Sequence, residues 1–103
     1  MKQKKLIRLN FNTAVFTRDH NKCVICGAPA VDAHHIIDRA LWEDGGYHLD
    51  NGVSLCPDDH IKAESGELTP KDLREAAGIK HVLLPDTLDP EFSYNKWGEK
   101  SYI

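Results

Sequence analysis

Apolar and polar positions alternate first in LIRLNF, residues 6–11, a rhythm that fits a short strand. The period then changes. Phe11, Val15 and Phe16 fall on the inner side of a short helix through TAVFTRD, with Asn10 or Asn12 as its cap. NKCVICGAPA, residues 21–30, breaks both patterns and reads as a turn-rich knuckle around Gly27 and Pro29. VDAHHII, residues 31–37, is rich in β-formers and predicts a strand. DRALWEDGGYHLDNG is a loop, marked by Gly45, Gly46 and the Asn51-Gly52 pair, and VSLC leaves that turn as a second strand. PDDHIKAESG predicts a helix. Pro57 suits its first position, Asp58 and Asp59 favour its positive N-terminal end, and Gly66 suits the stop. The order is strand, long loop, strand, helix.

TPKDLREAAGI, residues 69–79, predicts a further helix. Thr69 and Asp72 form a capping-box-like pair, Pro70 suits the first turn and Gly78 the end. From His81 onward, Pro85 and Pro90 interrupt a stretch without helical period, which reads as an extended tail. No internal repeat is visible. Residues 1–66 are expected to form a core and residues 67–103 a helix and tail within the same domain.

At 103 residues the core is small, and a bound metal would help to hold it. A hydrophobic share of 41% and a charged share of 28% are those of an ordinary globular protein. No segment has the ~20 consecutive apolar residues of a membrane span, and the basic start is too short in its apolar run for a signal peptide. The expectation is an intracellular, cytoplasmic chain with no membrane partner. Charge is uneven. Residues 1–40 hold seven Lys/Arg against three acids, whereas residues 41–103 hold six against thirteen. That distribution is compatible with a basic face meeting phosphates, and equally with ordinary solvated charge.

Three cysteines, Cys23, Cys26 and Cys56, argue against a disulfide framework. Cys23-x-x-Cys26 brings two thiolates to one point, Cys56 offers a third, and Asp59 or His60 a fourth ligand for tetrahedral zinc. With Asp59 the pattern is C-x-x-C…C-x-x-D. A thioredoxin-like redox pair lacks its βαβ setting, and a two-Cys two-His finger is excluded by the histidine spacing. Buried, unligated thiols are the plain alternative. Successive helical residues lie about 100° apart, so Asp59 and His60 cannot serve one small site. If Asp59 meets the cysteines, His60 faces elsewhere, towards the strand that carries His34 and His35.

Asp32-x-His34-His35-Ile36, then Asn51-Gly52-x-x-Leu55-Cys56, then His60, resembles the HNH endonucleases, and the cysteine knuckle resembles their zinc-stapled branch. The resemblance covers roughly residues 16–65. It departs from the family's Cys-x-x-Cys-His ending, which here reads Cys56-Pro57-Asp58-Asp59-His60. It implies an α+β, ββα-metal (His-Me finger) core with short flanking helices. It further implies that His34 and His60 bind a catalytic divalent metal (Mg²⁺, Mn²⁺, Ni²⁺ or Zn²⁺). His35 is then the general base, Asn51 holds the loop and orients His35, and Asp32 steers a histidine from behind the ligands. Structural Zn²⁺ falls to Cys23, Cys26, Cys56 and Asp59.

The chemistry needs such a pair. Phosphodiester hydrolysis requires an activated water on one face of phosphorus and a neutralised leaving oxygen on the other, and a neutral imidazole is a suitable base near neutral pH. Without Asn51 and His60, adjacent strand histidines would read as one packed and one exposed residue. Arg18, Lys22, Arg39 and Lys62 flank the site and are candidates for phosphate contact, against ordinary surface charge. His48 is expected to be a loop histidine, and Glu64 to sit on a solvated helix face. His20 and His81 carry no case. Phe92, Tyr94, Trp97 and Tyr102, interleaved with Lys96 and Lys100, could stack on bases but are expected to pack back on the core. The implied activity is endonucleolytic hydrolysis of DNA, duplex foremost. A non-catalytic zinc-stapled nucleic-acid-binding module and a structural zinc domain acting through proteins are the other readings. At family level, small stand-alone members are expected in phages and mobile elements.

Overall fold

The computed structural model describes residues 8–101. The first element is a helix, α1 (Arg8–Arg18), and not the strand expected over residues 6–11. Residues 6 and 7 of that stretch lie outside the described residues, and 8–11 are helical. The four-residue spacing of Phe11 and Val15 decides the matter: both side chains are fully buried on one face of α1, which alternation would have split between two faces. Asn10 and Asn12 accordingly lie within the helix and do not cap it.

Strand β1 (Asp32–His35) pairs antiparallel with β2 (Gly52–Leu55) in the register Asp32–Leu55, Ala33–Ser54, His34–Val53, His35–Gly52. All four residues of β2 are buried. Helix α1 packs across both strands at a contact that only glycine allows. A Cβ at position 52 would stand 2.6 Å from Phe11 Cζ and 2.6 Å from Val15 Cγ2. Arg18, at the end of α1, donates to the carbonyls of Leu49 (2.9 Å) and Gly52 (2.6 Å). It also pairs with Asp19, whose carboxylate accepts from the Ser54 amide at 2.9 Å. A phosphate-contact candidate is thus engaged with the backbone around β2.

Helix α2 (Pro57–Glu64) follows β2 directly, with Pro57 in its first turn as expected. Its N-cap is Cys56, whose sulfur accepts from the Asp59 amide at 3.5 Å. Helix α3 (Pro70–Ala77) has the expected capping box between Thr69 and Asp72 and ends on left-handed Gly78, φ +73°. The core is Ile36, Ile37, Val53, Leu55, Ala63 and Leu73, joined by Cys23 and Cys56.

Two expected irregular stretches carry more order than the sequence pattern gave. The loop between the strands holds 3-10 turns at Arg39–Leu41 and Leu49–Asn51. The tail folds into a small hairpin, β3 (Ser93–Tyr94) with β4 (Lys100–Ser101), closed by Asn95 Oδ1, which accepts from the amides of Trp97 (3.0 Å) and Glu99 (2.9 Å). Its aromatics are only partly packed back: Phe92 and Trp97 are each 44% exposed, with Lys100 Nζ 4.0 Å from the Phe92 ring centroid. Tyr102 lies outside the described residues. No described helix is long and apolar enough to cross a membrane.

The Gly52 contact predicts that Gly52→Ala destabilises the protein by about 1–3 kcal/mol, the cost of overpacking a filled core. In a thermal melt this reads as a fall in Tm of roughly 10 °C. An unchanged Tm would show that α1 can move off β2 at no cost.

Candidate functional site

Two clusters of metal-competent side chains form where β1, β2 and α2 meet. The first joins residues far apart in sequence, Cys23 and Cys26 of the knuckle with Cys56 and Asp59 at the start of α2, all four ligand atoms lying within 4.8 Å of one another. Asp59 Oδ2 accepts from the thiols of Cys23 (3.1 Å) and Cys56 (3.3 Å), and Cys26 Sγ is 3.6 Å from Cys56 Sγ. These bonds leave a mark on acidity. The Ala28 amide, the largest influence on Cys26, favours its thiolate. Hydrogen bonds to Asp59, Cys56 and Cys23 together outweigh it and push the thiol up to about 12. The same bonds, led by that from Cys23, lower Asp59. Three sulfurs and one carboxylate crowded in this way could hold a metal ion, whose charge would reverse the penalty on the thiolates.

The second cluster is Asp32, His34 and His60, again with ligand atoms within 4.8 Å of one another. Strand alternation puts Asp32 and His34 on one face of β1. His60 approaches from α2, its ring centroid 5.3 Å from that of His34 and its Nε2 3.5 Å from Asp32 Oδ2. Helix rotation thus separates Asp59 and His60 as expected, one to each cluster. Asp32 stands among the ligand-competent atoms, where the sequence reading put it behind them. His34 is 2% exposed and its Nε2 has no hydrogen-bond partner, an expensive state for a buried nitrogen that a ligand would relieve.

His35 points to the other side of β1. Its ring stacks on Phe11 (centroids 4.8 Å, interplanar angle 29°) and meets the edge of Tyr47 at 5.2 Å. It hydrogen-bonds the Gly45 backbone, and its Nε2 is buried without a partner. The bond therefore runs from Nδ1, which leaves Nε2 with the free lone pair. Asn51 is fully buried, but among its hydrogen bonds none reaches His35. Its side chain accepts from the Ile37 amide (3.0 Å) and donates to the carbonyls of Ile37 (3.1 Å) and Gly46 (3.2 Å). These bonds tie the two sides of the loop together. Orientation of His35 passes through the Gly45 carbonyl next to that pinned Gly46.

A cleft of about 240 Å³ joins these groups, lined by Asp32, His34, His35 and His60 with Arg8, Asn12, Asp38, Arg39 and Tyr47. Of the four cationic candidates, Arg39 alone lines it; Lys62 borders the cysteine cluster, Lys22 is exposed and Arg18 is engaged as described. His48 pairs with Asp44 at 3.1 Å, a loop histidine as expected. Two further cleft residues were placed elsewhere by the sequence reading. Glu64 Oε1 lies 3.2 Å from His60 Nε2 and 3.7 Å from His34 Nδ1, so it is no bystander on a solvated face. Its four-residue spacing from His60 was the available signal. Lys96 Nζ, on the tail hairpin, sits 2.6 Å from Glu64 Oε1; its place among the tail aromatics in the sequence did not point to this cleft.

Burial, the largest influence, drives the His34 imidazole down from 6.5 to about 3; the Lys96 ammonium acts in the same direction and the Glu64 carboxylate opposes it. Burial lowers His35 as well, opposed by the Gly45 bond. Both rings are neutral in the fold at neutral pH. Unfolded histidines take up protons near pH 6.5, so the unfolded chain binds more protons below that point and stability falls as pH falls. From pH 7.5 to 5.0, His34 alone costs about 2 kcal/mol. Urea midpoints measured across that range, without added divalent metal, should decline, and should decline less in His34→Asn. Equal slopes would contradict the burial argument.

Residues 23–66 match the family model of the HNH endonuclease. The matched segment contains both clusters, His35 and Asn51, and excludes α1, α3 and the tail hairpin with Lys96. The match points to nuclease-type chemistry in general and to nucleic acid as its substrate class. No curated protein and no solved structure matches the chain.

Proposed function

From an HNH endonuclease segment at residues 23–66, we propose that the protein is a metal-dependent endonuclease that hydrolyses DNA phosphodiesters through a ββα-metal core. The observation that carries this reading is the convergence of Asp32, His34 and His60 within 4.8 Å, next to a histidine held as a neutral base. When bound by those three residues, a divalent cation supplies charge neutralisation at the phosphate and the leaving oxygen. Two imidazoles beside one carboxylate favour a transition metal such as Mn²⁺, Ni²⁺ or Zn²⁺ over Mg²⁺.

His35 takes the proton. A water oxygen attacks phosphorus, its proton passes to His35 Nε2, the bond from phosphorus to the 3′ oxygen breaks, and solvent protonates the departing oxygen. The products are a 5′-phosphate and a 3′-hydroxyl. Asn51 is a positioning residue in this scheme, acting on His35 through the loop. Arg8 and Arg39, at the cleft, are the cations placed to meet the DNA backbone. Cys23, Cys26, Cys56 and Asp59 hold a structural zinc, which fixes the start of α2.

One observation favours the second reading, a zinc-stapled nucleic-acid-binding module without catalysis. His35 Nε2 is closed to water in the resting structure. In the catalytic reading, the His35 and Tyr47 side chains must part by a rotamer change when substrate enters.

A plasmid-nicking assay with Mn²⁺, Ni²⁺ or Mg²⁺ separates the two. The wild type nicks, and His35→Ala loses roughly 10²–10⁴-fold, the usual worth of a general base. Equal rates in both proteins would remove His35 from the role, and binding without nicking would establish the module. The zinc assignment has its own measurement. Elemental analysis should find one tightly held zinc per chain, retained in Asp59→Cys. In Asp59→Ala its affinity falls roughly 100-fold or more, since even a residue behind a ligand is worth about 10–100-fold. Unchanged affinity in Asp59→Ala would exclude Asp59 as a ligand.

A further inference from the structure

Lys96 lies outside the matched segment, on the turn of the tail hairpin, yet its side chain is only 10% exposed. Lysines ordinarily extend the ammonium into water, so the placement needs a cause. Docking of the hairpin has backbone contacts of its own. The Lys96 carbonyl accepts from the Asp38 amide at 2.9 Å, and Asn95 closes the turn; neither contact uses the side chain at 96. The backbone fixes the turn, and the ammonium is carried into the cleft in addition. There it meets Glu64 Oε1 at 2.6 Å and lies 3.8 Å from Asp38 Oδ1.

The neighbours of Glu64 define the location. The same Oε1 is 3.2 Å from His60 Nε2 and 3.7 Å from His34 Nδ1. Lys96 is therefore one carboxylate away from the imidazoles assigned to a divalent cation. Two cations at such a separation repel strongly in a partly desolvated cleft. At rest the Glu64 carboxylate alone stands between the two positions and is shared by both, so a further anion entering there would be drawn from both sides. Asp38 and Glu64 are the acids on the Lys96 side and Asp32 on the other, while Arg8 and Arg39 stand among the exposed residues of the cleft. A phosphodiester presents two non-bridging oxygens, one for each cation.

We propose that Lys96 is a catalytic residue of this cleft, its ammonium leaving Glu64 to contact a non-bridging oxygen of the scissile phosphodiester, with Glu64 as its resting partner. The assignment rests on the endonuclease reading. It places a functional group of the site on the tail, in a part of the chain beyond the family match. Lys96 transfers no proton; it stabilises charge that grows on the phosphoryl oxygens as water attacks.

The experiment compares wild type, Lys96→Met, Lys96→Arg and Lys96→Met/Glu64→Gln in two assays. One is plasmid nicking with Mn²⁺. The other is anisotropy of a fluorescein-labelled duplex without added divalent metal, as a function of salt. Lys96→Met should lower kcat by roughly 100-fold and flatten the slope of log affinity against log salt by about 0.9, one phosphate contact. Lys96→Arg should restore most of both. The double variant should stay impaired. Rescue there would mean that Lys96 merely balances Glu64, and would overturn the proposal, as would a nicking Lys96→Met protein with wild-type kcat. That last outcome leaves the endonuclease reading intact, whereas a wild type that neither nicks nor binds duplex ends both. Should Lys96→Met fail to fold, ¹⁵Nζ-lysine NMR of the wild type decides. The Lys96 resonance, assigned with Lys96→Arg, should shift on titration with a phosphodiester dinucleotide, and a stationary signal rejects the contact.

Discussion

Everything about the cleft depends on one short helix that faces two ways. Helix α2 has eight residues, and the 100° step between neighbours sends Asp59 to the cysteines and His60 to the strand histidines. The N-cap is Cys56, a member of the first cluster, so the helix start is set by the same residues that could hold a metal there. One turn after His60, Glu64 returns to the second cluster. A shift of α2 along its axis would therefore disturb both clusters together. Eight residues are too few for a helix to be stable alone, so the cysteine cluster and the packing of Ala63 bear directly on where His60 stands.

The loop between the strands solves a different problem. An unligated imidazole must keep one tautomer and one orientation while its neighbour in sequence faces the opposite way. Strand alternation separates His34 from His35, but it does not fix the ring of His35. That is done by stacking on Phe11 from α1, by the edge of Tyr47 and by the Gly45 backbone. Asn51 reaches His35 only indirectly. It ties Ile37 to Gly46 across the mouth of the loop, and Trp42 Nε1 adds a second bond to the Ile37 carbonyl at 3.2 Å. Gly46 is required by this closure, because a Cβ there would stand 2.6 Å from Trp42 Cδ1.

The legible parts of the chain were those whose signal is local. Caps and prolines marked α2 and α3, β-formers marked β1, and the cysteine spacing with helix rotation put Asp59 and His60 into separate clusters. The start of α1 was misread because LIRLNF supports alternation over a few residues, while the deciding fact, Phe11 and Val15 pressed on Gly52, lies some forty residues away. For Asn51 the sequence neighbourhood says turn, and which carbonyls it ties depends on how the loop closes. Glu64 carried a local signal, its spacing from His60, that an ordinary solvated face would carry equally. Lys96 stood out only as a cation among tail aromatics, since the docking of the hairpin on Asp38 is what brings it to the cleft.

The resting cleft balances its own charges in the absence of a substrate. Asp32 and Glu64 lie against the His60 imidazole, and Lys96 lies against Glu64 and Asp38. Neutral His34 is what such a site needs, because a protonated ring could not donate a lone pair, and burial keeps it neutral far below physiological pH. Burial of His35 works the same way but has a cost: the Nε2 of the ring that is kept neutral is also kept from water. In the proposed mechanism, a base hidden until substrate arrives is shielded from bulk protons and would act once the cleft has opened around a phosphate. In that mechanism the same event would separate Lys96 from Glu64, so that opening at Tyr47 and release of the ammonium would be two consequences of one anion entering one cleft.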